Sequence, residues 1–196
     1  MGKQIVQSEV LSVKCCHYRN VIVIRHYRDD DAGSVGRLIA DTYSKFNLSF
    51  ASPEERSLFL GPFKHARSPE ESHQAAISQV IRAAMVFIAE DRGEIVGVLR
   101  GRMEKLQSLF VREDHHRQGI GRQLVERFEQ ECAREGSAEI RVQATLYAVP
   151  FYLAMGYKRT TGVRQMSSFD GRGLAYQPMK KTLPSNRMGP PTSRGA

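Results

Sequence analysis

One stretch of the sequence combines residue types that could bind an anion. Residues 109–111 are an apolar segment, and residues 112–118 follow as a loop with several basic side chains. Gly119-Ile120-Gly121 then opens a segment with apolar residues at helical spacing, namely Ile120, Leu124, Val125, Phe128 and Cys132. A helix that begins at glycines leaves main-chain N–H groups unshielded, and its dipole adds positive potential. The pattern predicts a phosphate-binding turn flanked by Arg117 and Arg122.

Two common phosphate-binding motifs do not fit this turn. A dinucleotide-binding fingerprint needs a third glycine, and Leu124 occupies that position. A P-loop needs Gly-Lys followed by Ser or Thr, and no such run follows Gly121. The glycines alone would also suit a tight strand-to-helix connection that binds nothing. A second feature is needed before chemistry can be assigned to the turn.

A short helix that carries a tyrosine supplies the second feature. Pro150-Phe151-Tyr152 lies in its first turns, and Gly156 ends it. It follows a strand predicted at residues 139–143, which brings a phenol to the same sheet edge as the turn. A phenol with a pKa of about 10 stays protonated at neutral pH and can donate a proton. Neighbours on a helix face different ways, so Phe151, Tyr152 or both could instead be packing residues.

The elements that must position these two features alternate along the chain. Strands are predicted at residues 21–28, 85–90, 94–101, 106–111, 139–143, 157–161 and 174–181, and helices at residues 29–46, 68–81, 120–135 and 148–156. Residues 47–67 are aromatic without a clear period, which predicts a packed excursion. The order predicts a mixed α/β (α+β) fold with one domain at residues 21–183. Residues 1–20 are expected to be a lead-in segment, and residues 184–196 a disordered tail.

Composition narrows the class of protein. A net charge of +8 and a pI near 9.6 favour anionic partners. No basic run is interleaved with aromatics, so we expect no nucleic-acid partner. Three cysteines, no secretory signal and no long apolar run predict reduced thiols, a cytoplasmic location and no membrane contact. Asp29-Asp30-Asp31 is interpreted as the start of a helix rather than a metal site, and we expect no metal.

In their order and spacing, the turn and the tyrosine helix resemble the GNAT superfamily of acyl-CoA-dependent N-acetyltransferases. The resemblance is carried by Leu109-Phe110-Val111, His116-Arg117-Gln118-Gly119-Ile120-Gly121, Ala148-Val149-Pro150-Phe151-Tyr152 and Gly156-Tyr157. It covers roughly residues 21–183 and is specific mainly over 106–157. The family loop begins with Gln or Arg, so His116 is a departure that loses a constant charge but keeps a donor. The resemblance implies a mostly antiparallel central sheet flanked by helices.

The resemblance also implies acetyl-CoA as co-substrate. Its pyrophosphate would sit on the turn, and its pantetheine arm would pair with main-chain groups of Phe110 and Val111, where that strand separates from Val142-Gln143. Many relatives carry Asn at the place of Gln143. The cofactor-binding residues expected on this basis are Phe110, Val111, His116, Arg117, Gln118, Gly119, Ile120, Gly121, Arg122 and Gln143. Tyr152 would be the general acid that protonates the departing thiolate.

The general base is left open by the sequence. Family members often place a carboxylate on the central strand, where this chain has Gln107 and Ser108. Glu104, Glu113 and His115 lie nearby as candidate bases or as solvated charges. A water relay, or an amine that arrives neutral, would also serve.

The amine acceptor is equally open, as a small molecule or a peptide. The resemblance implies that acceptor specificity resides in the first helices and the last hairpin, namely Tyr43, Phe46, Phe50, Phe59, Phe63, Lys64, His65, Arg67 and residues 164–176. Aromatic and basic groups together favour an acceptor that bears a carboxylate or a phosphate. A non-catalytic acyl-CoA-binding sensor or regulatory module is the alternative function. The sequence does not reveal whether the chain forms a homodimer.

Overall fold

The computed structural model describes residues 22–184, so the predicted lead-in segment and nearly all of the predicted tail lie outside the described residues. The strands are β1 (Val23–His26), β2 (Met85–Asp91), β3 (Glu94–Arg102), β4 (Lys105–Val111), β5 (Glu139–Thr145), β6 (Lys158–Arg159), β7 (Arg164–Ser168) and β8 (Gly171–Thr182). The helices are α1 (Ala32–Thr42), α2 (Pro53–Leu60), α3 (Glu71–Ile81), α4 (Ile120–Arg134) and α5 (Val149–Ala154). A π-helical turn, Tyr43–Asn47, continues α1. None of the helices within residues 22–184 is long and apolar enough to cross a bilayer.

The strands form one mixed sheet in the order β1-β2-β3-β4-β5-β8-β6, with β7 also paired to β8. The pair of β4 and β5 is parallel, and the other pairs are antiparallel. The parallel pair exists because α4 connects β4 to β5 as a crossover. The predicted mixed fold with a mostly antiparallel sheet flanked by helices is confirmed.

Helices pack on both faces of the sheet and give it two hydrophobic cores. The apolar side of α4 and the α5 segment cover one face, and α1, α2 and α3 pack on the other. Side chains alternate along β4, so Leu109 and Val111 join the α4 core while Phe110 joins the α1 core. The predicted turn at the start of α4 and the end of α1 therefore lie on opposite sides of the same strand.

Several elements differ from the predicted ones, beginning with the helix predicted at residues 29–46, which is a 3₁₀ turn (Asp29–Asp31), α1 and a π-helical turn (Tyr43–Asn47). Helix α2 stands where the sequence predicts an irregular excursion, and Ser52 and Glu55 cap it through reciprocal hydrogen bonds of 3.3 and 2.8 Å. Helix α3 begins at Glu71 rather than at Ser68, because the Ser68 hydroxyl accepts the Glu70 N–H in a turn ahead of the helix (3.2 Å). Strand β7 is an additional strand that pairs with β8.

The acidic run before α1 ties the helix to β1. The Asp31 carboxylate accepts two hydrogen bonds from the Arg25 guanidinium (2.7 and 2.9 Å) and one from the N–H of Arg28 (2.7 Å). Burial alone would raise the pKa of Asp31, but the hydrogen bonds from Arg25 and Arg28 outweigh it and lower the pKa. Asp31 therefore acts at the helix start, as predicted for the acidic run.

Replacing Asp31 by Asn should destabilise the protein at pH 7 by about 1–2 kcal/mol, because it removes the charged acceptor that the Arg25 guanidinium and the Arg28 N–H share, while Arg25 keeps its hydrogen bond to Glu90 (2.8 Å). The Asp31 pKa is lower in the folded state than in the unfolded state. Its stabilisation is therefore present above the unfolded pKa of about 4 and lost as the pH falls through the folded pKa. Urea unfolding should show the Asp31→Asn difference shrinking below pH 4. Asp30→Asn, at the exposed neighbouring position, is the control and should change stability little; a constant Asp31→Asn difference would contradict the ion-pair account.

Candidate active site

Strands β4 and β5 are paired at their beginnings and then separate. The last paired residues are Leu106 and Val142. Gln107, directly after Leu106, is the extra residue of a β-bulge against β3. Bulges re-aim a strand, and here the bulge lies where β4 leaves β5. The resemblance implies a separation at Val142-Gln143, and the strand pairing ends at Val142.

Hydrogen bonding to β3 decides which main-chain groups of β4 face the opening between β4 and β5. The N–H of Arg112 donates to the carbonyl of Val96 on β3 (2.8 Å). In an antiparallel pair every second residue bonds to the neighbouring strand, so Phe110, two residues before Arg112, also bonds to β3. Leu109 and Val111 lie between these bonded positions and turn their main-chain groups toward β5. The sequence predicts Phe110 and Val111 as main-chain contacts. By the register, Val111 and Leu109 turn their main-chain groups toward the split, whereas Phe110 bonds to β3 and its side chain packs in the α1 core.

Gln143 faces the same opening from β5. The N–H of Arg141 on β5 donates to the carbonyl of Glu104 beside β4 (2.8 Å). Arg141 and every second residue after it on β5 therefore turn their main-chain groups toward β4. Gln143 is two residues further on and has the same orientation. Its side chain is exposed on the sheet face away from α4. The opening is thus lined by main-chain groups of two strands that have no strand partner there.

The turn that leads into α4 offers a run of free donors. Within residues 22–184 the main-chain N–H groups of residues 117–122 have no hydrogen-bond acceptor, and the first intrahelical bond runs from Gln123 to Gly119 (3.0 Å). Gly119 has φ of 82°, a left-handed conformation that glycine adopts without strain. A Cβ on Gly121 would lie 3.4 Å from the Phe151 ring and 3.7 Å from the Val111 side chain. Gly121 therefore keeps the space between the turn, Phe151 and the end of β4 open.

The side chains around this turn are basic and mostly exposed. Arg117 and Arg122 are exposed, and Arg122 lies 3.7 Å from Glu126 one helical turn on. The Gln118 side chain donates to the carbonyl of Asp114 (3.0 Å) and closes the loop on itself. The helix dipole and the two guanidinium groups make the turn a suitable site for an anion.

His116 does not reach over the turn. Its Nε2 lies 2.8 Å from the carbonyl of Val111, so Nε2 carries the hydrogen and donates it. The imidazole also packs on the Phe46 ring, with centroids 4.9 Å apart. The resemblance implies His116 as a cofactor-binding donor at the start of the loop; in the structure its ring lies at the end of β4, beside the opening, and its Nε2 hydrogen is engaged by Val111.

Tyr152 lies in the α4 core next to the turn. Its side chain is 4% exposed and packs edge-on against Phe151 and Tyr157, at 5.1 and 5.4 Å between ring centroids. Burial raises the pKa of the Tyr152 phenol above its ordinary value. The hydroxyl makes no hydrogen bond to any residue in the described range, so its proton is uncommitted. Phe151, the other candidate packing residue, is half-buried beside Gly121.

Three consecutive residues of the π-helical turn bridge the two sides of the opening. Lys45 Nζ lies 2.5 Å from Glu113 on the β4 side, and Asn47 donates to the Thr145 hydroxyl at the end of β5 (2.7 Å). Phe46, between them, packs on His116 of one side and stacks on Tyr147 of the other, at 5.3 Å from the latter. π-helical turns occur often at functional sites. The sequence does not predict this bridge, because its apolar spacing is that of one continuous helix through Phe46.

The predicted acceptor-specificity segments meet in space, but several of their aromatics are core residues. The Ser168 hydroxyl donates to the carbonyl of Phe59 (3.0 Å), and the Asp170 N–H donates to Leu58 (3.2 Å), so α2 is fixed to the β7–β8 turn. Tyr43, Phe59 and Phe63 are buried, whereas Phe50 is exposed. Lys64 and Arg67 are exposed, and His65 stacks on His73 with centroids 3.9 Å apart.

Each of the three candidate bases is either engaged by another side chain or located at the closed end of the split. Glu113 is paired with Lys45 on the outside of the β4 end. His115 is buried between two carboxylates, with Nδ1 2.7 Å from Asp114 and Nε2 3.2 Å from Asp91. Glu104 belongs to the β3–β4 turn, at the closed end of the split. In the described part of the chain, no group of three or more His, Cys, Asp or Glu side chains is arranged to hold a metal ion.

A mixed sheet that splits between two parallel strands, with a donor-rich turn and helix after the first of them, defines an acyl-CoA N-acyltransferase type of fold. The family model described as "Acetyltransferase (GNAT) domain" matches residues 48–183. The chain therefore belongs to the GNAT acetyltransferase family, as the sequence resemblance predicts. None of the curated proteins matches it significantly by sequence.

Solved structures share this fold at low sequence identity. A GCN5-related N-acetyltransferase from Rhodopseudomonas palustris is 22% identical, with a TM-score of 0.66 over 82% of this chain and 95% of the other. The PaiA N-acetyltransferase of Thermoplasma acidophilum, solved with coenzyme A, is 18% identical, with a TM-score of 0.60 over 83% and 99%. The ribosomal-protein-S18-alanine N-acetyltransferase of Escherichia coli is 18% identical, with a TM-score of 0.53 over 86% and 97%.

Proposed function

We propose that this protein transfers an acetyl group from acetyl-CoA to a primary amine of a small molecule or a peptide. The observation that carries the proposal is the run of unpaired N–H groups at residues 117–122, placed at the open end of the split between β4 and β5. Free main-chain donors at a helix start suit a pyrophosphate, and unpaired strand edges suit an extended amide chain. Coenzyme A contains both groups, joined end to end.

The chain's own residues would hold acetyl-CoA in two places. The N–H groups of residues 117–122, with Arg117 and Arg122, would bind the pyrophosphate. Main-chain groups of Leu109 and Val111 on one side, and of Gln143 on the other, would bind the pantetheine arm. Acetyl-CoA supplies the activated acyl group as a thioester. A main-chain N–H of β4 that faces the split can stabilise negative charge on the acyl oxygen during attack.

Tyr152 is the residue we assign as general acid. Its raised pKa keeps the phenol protonated throughout the physiological pH range. Its hydroxyl has no partner within residues 22–184, so it can donate toward the departing sulfur. The attacking amine loses one proton and the sulfur gains one, so the reaction of a neutral amine consumes no proton overall. Glu113 and His115 are engaged by other side chains and Glu104 lies at the closed end of the split, which favours an amine that arrives neutral or loses its proton to water.

The second candidate function is an acyl-CoA sensor without turnover. The observation that favours it is that Glu113 and His115 are engaged by other side chains, which leaves Glu104, at the closed end of the split, as the one candidate base without such a partner in the described residues. Under this function the turn would bind acetyl-CoA, and Tyr152 would serve only as a packing residue.

Incubation of the protein with acetyl-CoA and a panel of amines should release thiol with at least one acceptor, because we expect Tyr152 to protonate the departing sulfur. The panel should contain small primary amines and peptides with free N-termini. A thiol-reactive dye measures the release, and mass spectrometry measures the product, which should gain one acetyl group. Saturable acetyl-CoA binding with no thiol release above buffer across the panel would reject the enzyme and support the sensor.

A further inference from the structure

Five basic residues stand directly opposite one another on five neighbouring strands. The register pairs Arg102 with Lys105, Lys105 with Arg141, Arg141 with Lys180, and Lys180 with Lys158. We call these five residues the basic row. It crosses β3, β4, β5, β8 and β6 in that order, and five strands at a spacing of about 4.8 Å span about 19 Å.

The basic row lies on the sheet face away from α4. Residues adjacent to it along the strands, such as Leu106, Val142 and Met179, are buried in the α4 core, so the row points to the other side. Four of its members are exposed and Lys105 is half-buried. The row therefore presents its charges to solvent.

The protein neutralises only part of this charge. Glu139 pairs with Lys180 (2.7 Å) and with Arg141 (2.8 Å), and these two partners lower the pKa of Glu139. Arg102, Lys105 and Lys158 have no ion pair with any residue in the range 22–184. Like charges directly opposite each other on neighbouring strands are destabilising. Because the row is destabilising and the acidic residues within 22–184 pair with only two of its five charges, an anionic partner would stabilise it.

The position of the row relates it to the split. Arg141 lies two residues before Gln143, where the gap between β4 and β5 begins, which is about 7 Å along the strand. A cavity of about 610 Å³ connects the two; four members of the row and Arg164 line it, against two acidic residues, Glu104 and Glu139, and Gln143 lies at its split end. A molecule whose amine enters the split from this face would lay its remaining length over the row.

We propose that the basic row binds acidic side chains of a peptide acceptor whose amine enters the split. This inference rests on the proposed acetyltransferase function and names its acceptor class. Alternate residues of an extended peptide are about 6.7 Å apart, so three acidic residues at alternate positions fit within the row. Tyr176, the single aromatic among the described residues lining the cavity, is buried, so the face offers no stacking platform for single-stranded nucleic acid.

Direct binding tests the row without requiring turnover. The probe is a ten-residue peptide with a free N-terminus, three glutamates at alternate positions and a C-terminal fluorophore; its matched partner carries glutamine instead. Fluorescence anisotropy should show the glutamate peptide binding more tightly, with the preference falling as salt rises. The Lys105→Gln and Lys158→Gln double variant should weaken binding of the glutamate peptide about tenfold. The control is the Arg37→Gln and Arg159→Gln double variant, which removes the same charge and should bind as the wild type does.

Arg159 is a sharp control because it neighbours Lys158 on β6 and points to the other face of the sheet. Equal binding of the two peptides, or equal loss in both double variants, would overturn the inference. Tighter, row-dependent binding of a uridine 20-mer than of the glutamate peptide would also overturn it, in favour of nucleic acid. Row-dependent peptide binding without acetylation of either peptide would leave the row intact and count against the proposed enzyme instead.

Discussion

Replacing Tyr152 by Phe is expected to lower the turnover number by about 10²-fold or more, the usual contribution of general acid catalysis. The substitution removes the one hydroxyl that we assign as proton donor to the departing sulfur. The affinity for acetyl-CoA should stay within about twofold of the wild type, since the proposed cofactor contacts are main-chain groups of β4, β5 and the turn. Steady-state thiol release measures turnover, and calorimetric titration measures affinity.

The substitution is a clean test because the Tyr152 hydroxyl makes no hydrogen bond to the described residues. Removing it leaves no protein group unsatisfied, and the ring keeps its contacts with Phe151 and Tyr157. Tyr157→Phe is the matched control, since it removes another buried hydroxyl without a hydrogen-bond partner five residues further on. Tyr157→Phe should leave turnover nearly unchanged. If Tyr152→Phe also leaves turnover unchanged, Tyr152 is a packing residue and the acid assignment is wrong.

The pH dependence gives a second readout for the same assignment. Burial raises the pKa of Tyr152, so the phenol remains protonated at and above its ordinary pKa of about 10. Turnover of the wild type should therefore rise with pH as the acceptor amine loses its proton, and should show no fall near pH 8–9. A fall in wild-type turnover near pH 8–9 that is absent from the Tyr152→Phe profile would mean that the Tyr152 pKa is lowered, which would contradict the effect of burial.

The parts of the site that are local in sequence could be predicted from sequence. Gly119 and Gly121 open a helix whose apolar residues keep a strict period, so both the turn and the phase of α4 follow from neighbouring residues. The tyrosine helix is recognisable for the same reason, with Pro150 near its start and Gly156 after its end. Helix α2 has a recognisable start, because Ser52-Pro53-Glu54-Glu55 is a capping sequence. The aromatic residues that follow do not repeat at helical spacing, so the sequence pattern does not predict the helix.

The parts that depend on register could not be predicted in this way. The pairing of β4 with β3 determines which β4 residues present main-chain groups to the split. That pairing does not change the alternation of apolar and polar residues within either strand, so the sequence pattern does not reveal it. That pairing alone shows that Leu109, rather than Phe110, turns its main-chain groups toward the split. The basic row is the extreme case, since its members lie between residues 102 and 180 and become neighbours only when five strands are aligned.

Gly121→Leu is expected to weaken acetyl-CoA binding by about 100-fold. The Cβ position at Gly121 points between the Phe151 ring and the Val111 side chain, at 3.4 and 3.7 Å. A methyl group there meets ordinary contacts, but the longer leucine side chain must enter the space beside the free N–H groups and the end of β4. Gly121→Ala should therefore lose much less affinity than Gly121→Leu. Titration calorimetry with acetyl-CoA measures both.

Unfolding would not explain such a loss. Gly121 lies in the first turn of α4 and does not have a left-handed conformation, so leucine can adopt its backbone geometry and the melting temperature should change little. Gly162→Leu is the control, since Gly162 is exposed, does not require a left-handed conformation and has no atom within 4 Å of its Cβ position. Because the affinity should fall while the melting temperature stays nearly constant in Gly121→Leu, the two measurements separate steric exclusion from loss of structure. Wild-type affinity in Gly121→Leu would show that the anion does not sit on this turn, and the pyrophosphate assignment would have to be abandoned together with the direction proposed for the pantetheine arm.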